Sequence, residues 1–183
     1  MEAGGQIEIL GAFIPKQTVD EFTDALKEAN FSPLAVEFSS LAFSRLIRGQ
    51  ASEITPESLV IIKLGSSGFS FSIVRDGNLY FNHTLLWQSE NISASELEDL
   101  MVRETRRVLS FAQSRWQMPV AGCVLVFPNE TIEGKIQEII KNNFSLKIHS
   151  IKELLSPEVQ KMNLTSLTAD WFPVLGSAIR GLI

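Results

Sequence analysis

The sequence predicts an α/β fold, a mixed five-stranded sheet flanked by helices. Three observations predict it. The run 59–64 is short, apolar and stops at Lys63-Leu64, which marks a buried strand. Asp76-Gly77 sits between two runs of alternating polarity, the signature of a tight hairpin. Beyond residue 93, helical and strand patterns alternate, which is the order of parallel crossover units.

The elements follow in order. Residues 7–14 are apolar and end at Pro15, so a strand is expected there. Thr18 and Glu21 have capping-box spacing, and Val19, Phe22, Ala25, Leu26 and Ala29 recur at helical spacing, which predicts a helix over 18–29. Asn30 suits a left-handed stop. A short strand is expected over 33–38 and a helix over 40–48, ended by Gly49. Residues 50–57 are polar, contain Pro56 and read as a linker. Strands are then expected over 59–64, 69–74 and 79–86. Ser93 and Glu96 form a second capping box, opening a helix over 93–115. A strand over 120–127, a helix over 130–143, a short strand over 146–148 and a closing helix over 169–182 complete the chain.

Composition narrows the function. The 183 residues are 45% hydrophobic and 20% charged, which suits a folded domain and excludes a disordered chain. Twenty-one acids against sixteen bases give a net charge of −5, so no nucleic-acid partner is expected. One cysteine, Cys123, excludes an intramolecular disulfide and a Cys-pair zinc site. With two histidines, His83 and His149, no metal cluster is expected. The first residues lack the pattern of a signal peptide, and no apolar run approaches the ~20 residues of a membrane span. The expected location is the cytoplasm.

From residue 59 the element order is β-β-β-α-β-α-β-α, that of the ribonuclease-H-like fold. The preceding β-α-β-α resembles the tail of the same unit, and two such units in tandem describe actin-like ATPases. The expected division is therefore 1–50, a partial first subdomain, and 51–183, a ribonuclease-H-like second one. Three stretches carry a closer likeness. They are Ile14-Pro15-Lys16 through Val36-Glu37, Leu59-Val60-Ile61-Ile62-Lys63-Leu64-Gly65 with Ser72 to Gly77, and Gly176-Ser177-Ala178-Ile179-Arg180-Gly181-Leu182. In that order they resemble the PilM family of type IV pilus assembly proteins, which are actin-like. The secretion protein GspL and the pilus protein MshI share the pattern. Complete members begin with a first phosphate loop and carry an inserted subdomain. Neither is visible before residue 7, so a fragment is expected.

The resemblance implies a nucleotide site. Its Gly/Ser turn corresponds to Gly65, Ser66, Ser67 and Gly68, whose backbone amides would cradle phosphate. A plain hairpin turn is the other reading of those residues. The family position of Lys63 calls for an acid holding the metal, and a lysine cannot ligate magnesium. The family's Gly-Gly adenosine turn reads Phe127-Pro128-Asn129-Glu130 here, with Gly134 beyond it, and Asn129 also suits a helix N-cap. No cofactor is therefore expected. ATP with magnesium enters only if the chain is part of an active ATPase or phosphotransferase. The implied role is a non-catalytic scaffold, held at the inner membrane by binding a pilus or secretion assembly protein, with self-association open. Arg103, Arg106, Arg107 and Arg115 lie on the long helix, either as a solvated face or for an acidic partner. Trp87, Trp116 and Trp171 are read as interface anchors or as partly buried side chains, and His83, on a strand, as a structural or edge residue.

Overall fold

The computed structural model describes residues 10–11, 13–54, 58–65, 68–86, 93–128, 130–155, 171–178 and 180. The chain divides into two compact units, Met1–Phe38 and Ser39–Ile183.

The first unit holds one helix, α1 (Lys16–Glu28), entered from Pro15 without a side-chain cap. The expected capping box is absent, because the helix begins at Lys16, before Thr18. Proline presets the helical φ at the entry, and its carbonyl accepts from the amides of Thr18 and Val19. The polar side is laced by Lys16–Asp20, Gln17–Glu21 and Lys27–Asp24 contacts. Asn30 takes φ 62° and ends the helix as expected, with the amide of Phe31 bonded to the Leu26 carbonyl at 2.8 Å. The two flanking strands do not form among the described residues. Positions 10–11, 13–14 and 33–38 are irregular. Their sequence suits a strand, but a strand exists only where a neighbour takes up its amides and carbonyls. Residues 7–9 and 12 lie outside the described set.

The second unit opens with α2 (Ser39–Ile54). This corrects two expectations: the helix passes through Gly49 and takes up residues 50–54 of the expected linker. Residues 55–57 are outside the described set. The division into compact units falls at Phe38/Ser39. The cause is packing: Phe43, Leu46 and Ile47 are buried against the sheet, which outweighs the roughly 1 kcal/mol cost of a helical glycine.

The sheet runs β1 (Ser58–Gly65), β2 (Gly68–Arg75), β3 (Asn78–Leu86), β4 (Val120–Val126) and β5 (Lys147–His149), in the order β3-β2-β1-β4-β5. The β1–β2 and β2–β3 pairs are antiparallel, and the β1–β4 and β4–β5 pairs parallel. Asp76 and Gly77 both take positive φ (50° and 69°), the mirror-image turn that matches strand twist. Helices α3 (Ala94–Trp116), α4 (Glu130–Asn143), α5 (Ile151–Leu154) and α6 (Trp171–Ala178) complete the unit. Both halves of the Ser93–Glu96 capping box are present.

Alternation along β1 splits the core in two. Leu59 and Ile61 meet α2 and α6 through Phe43, Leu46, Ile47 and Phe172. Val60 and Ile62 meet α3 and α4 through Met101, Val108, Ile136 and Ile140. On the first face α2 and α6 touch backbone to backbone. A Cβ on Gly176 would overlap the carbonyl of Ala42, while Arg45 Nη1 donates to the Gly176 carbonyl at 2.8 Å. Gly176→Val is expected to cost about 3 kcal/mol or more, since backbone cannot yield as a side chain does, and a fall in the urea midpoint measures it. Cys123 is fully buried in β4, and desolvation pushes its thiol up to about 12 from 9.0. Above pH 9 the unfolded thiol ionises while the folded one stays protonated, so stability falls as pH rises from about 9 towards 12. Urea unfolding of wild type and Cys123→Ala across that range should show a steeper loss of stability in wild type, the difference being the contribution of the thiol.

Candidate functional site

Strand β1 is buried on both sides until Lys63, where the chain leaves the core. By alternation Lys63 shares the α2–α6 face with Leu59 and Ile61. Its register neighbours are Ser70 on β2 and Val126 on β4. Ser70 in turn opposes Thr84 on β3. One strand position further in, Ser72 donates to Asn82 Oδ1 at 2.9 Å, and Asn82 Nδ2 reaches Thr84 Oγ1 at 3.4 Å. The carboxyl end of β1 thus carries a polar rim of one ammonium, hydroxyls and an amide above apolar rows.

Gly65 pairs with Gly68 in register, closing the β1–β2 hairpin beside Lys63. Gly68 is buried with φ 134°, a backbone state that side chains rarely adopt. Ser66 and Ser67, the other two expected phosphate-loop residues, lie outside the described set.

The end of β4 forms the other side. Phe127 is buried and its ring stands 6.2 Å from that of Phe69, on the α3–α4 face. Exposed Pro128 then bends the chain towards α4. Asn129, the expected N-cap, lies outside the described set. A Cβ on Gly134 would meet nothing within 4 Å, so that glycine provides no close backbone approach. Among the described residues no group of three metal-ligating side chains occurs. Positions 63–65 and 126–128 supply no carboxylate for a divalent cation.

A second cluster lies on the α3–α4 face, away from Lys63. Glu104 is 4% exposed, and its carboxylate stands 3.4 Å from His83 Nε2, 3.0 Å from Arg103 Nε and 3.7 Å from Arg107 Nη1. His83 stacks near Phe71 and Phe81, each 6.5 Å away between centroids. His83 thus lies between two aromatic rings and the buried carboxylate. Glu104 escaped the sequence reading, although its spacing from Met101 and Val108 put it on the buried stripe of α3. A charge at such a position looks solvent-facing until two guanidinium groups and an imidazole are seen around it. Trp116 packs against Tyr80 and Phe111, whereas Trp171 is half exposed, and Trp87 lies outside the described set.

No protein-family model and no curated protein matches the sequence. Solved structures do match. A chain of a PilM–PilN type IV pilus biogenesis complex aligns over 92% of this chain with a TM-score of 0.69 and 16% identity. The match spans 59% of that chain's length. A Ppx/GppA family member from Aquifex aeolicus aligns over 89% of this chain and 60% of its own, at 11% identity, but with a TM-score of 0.33 it bears no weight. The first of these likenesses shows the fold, and the mixed five-stranded sheet flanked by helices is of the actin-like kind.

Proposed function

We propose that the chain is a non-catalytic, actin-like scaffold of a type IV pilus or type II secretion platform, bound to the cytoplasmic tail of an inner-membrane protein. The observation that carries the reading is Lys63. It stands at the carboxyl end of β1, beside the Gly65–Gly68 hairpin, where an actin-like ATPase needs an acid for its metal. Buried Phe127 and exposed Pro128 occupy the turn that glycines would open for adenosine. The pilus complex of similar fold supports the assembly context. Among the described residues no helix is long and apolar enough to cross a membrane, so attachment through a partner is the proposed route.

The first unit supplies the docking surface. None of α1 is buried, and Phe13, Phe22 and Leu34 are 94, 70 and 98% exposed. Leu10, Phe31 and Val36 extend this apolar surface. Soluble domains rarely leave so much apolar area bare without a partner. The occupant proposed is the apolar face of a short cytoplasmic tail.

A second reading, an ATP-binding protein of which this chain is one part, is favoured by the 59% span of the matched chain and by the glycine-bounded hairpin. Titration with a fluorescent ATP analogue and magnesium separates the two. No saturable binding at micromolar concentration is expected, and saturation would establish the second reading instead. For the partner, tail peptides of inner-membrane pilus and secretion assembly proteins from the same genome are tested by fluorescence anisotropy. One is expected to bind, with Phe22→Asp weakening it by about tenfold. Failure of every tail, or binding unaffected by Phe22→Asp, would refute this docking site.

A further inference from the structure

Helix α3 turns a line of charge outward. A groove of about 530 Å³ runs along it, lined by Glu98, Asp99, Val102, Arg103, Arg106 and Arg107, with Asn143 at the end of α4. The groove is acidic towards the start of the helix and basic towards its end. These charges do not neutralise one another within the helix. Asp99 and Arg103 have the four-residue spacing of an intrahelical pair, yet Arg103 bonds to Glu104 instead. Among the described residues, Glu98, Asp99 and Arg106 make no ion pair.

Asp99 and Arg106 are seven residues apart, about two turns, and so fall on one stripe with Val102 and Arg103 between them. The midpoint of that stripe has a specific property. Turned about a twofold axis there, the helix meets its own copy antiparallel, with each Asp99 opposite Arg106 of the second copy. A parallel neighbour would set acid against acid and base against base. Self-complementarity of this kind is what an isologous contact requires.

We propose that the α3 groove is a homotypic docking face, through which two copies of this chain associate antiparallel by reciprocal Asp99–Arg106 pairs. The occupant is a second copy because the charge order of the groove is its own complement. Both side chains are exposed, so the contact is weak, reversible and sensitive to salt. It lies wholly within the second unit and does not depend on the nucleotide reading.

Sedimentation equilibrium on the full chain at low and high salt tests the proposal. Wild type is expected to self-associate, and less so at high salt. Asp99→Arg and Arg106→Asp, each made alone, are expected to weaken association by about tenfold, because each sets like charges opposite one another twice. Circular dichroism checks that both exposed-site variants stay folded. An equimolar mixture of the two variants is expected to recover association, since Arg at 99 of one chain meets Asp at 106 of the other, and the double reversal in one chain should recover it too. Wild type that stays monomeric at the highest readable concentration overturns the proposal. So does association that single reversals leave unchanged, which would assign it to another surface, or a mixture that stays monomeric.

Discussion

Every part of the second unit is hung on one strand that has no wet side. Leu59, Val60, Ile61 and Ile62 of β1 are each between 0 and 3% exposed, and they point alternately into two separate cores. Burying four such side chains contributes about 8 kcal/mol, comparable with the whole net stability of a domain. That constraint explains the sheet order. A strand dry on both faces must be central, with a hairpin on one flank and parallel crossovers on the other, and helices must cover both sides.

The same constraint fixes where chemistry can stand. A charged group is expensive inside such a layer, so the first charge on β1 appears where the strand leaves the core. Lys63 occupies that exit, its stem in line with the apolar row and the polar rim of Ser70, Ser72 and Asn82 close by. An acid at this position would attract a divalent cation. A lysine repels one and favours an anion.

The two units contrast in how they treat apolar surface. The second encloses Phe69, Phe71, Leu46 and Ile47 almost completely, and even brings two helix backbones into contact at Gly176. The first keeps its phenylalanines in water, around a helix whose polar side is well supplied with ion pairs. A helix satisfies its backbone internally, and that local pairing is enough to close the hydrogen bonds of α1. It does not suffice for the flanking segments, which are strand-like in composition and lack a neighbouring strand among the described residues.

The sequence by itself determined the five strands, the Asp76-Gly77 turn, the Ser93 cap and the strand-end position of Lys63. Each rests on short-range physics: side-chain period, positive φ, and a hydroxyl reaching three residues along the chain. It misjudged Gly49 as a helix stop and residues 50–54 as a linker. Burial of Phe43, Leu46 and Ile47 overrides a weak local signal, and burial is known only once the sheet is in place. Tertiary structure alone decided that Glu104 sits among His83, Arg103 and Arg107, because His83 reaches it from a strand 21 residues away in sequence. It likewise decided that residues 33–38 stay irregular. A strand is a property of a pair of segments, and one segment's sequence cannot state whether its partner is present.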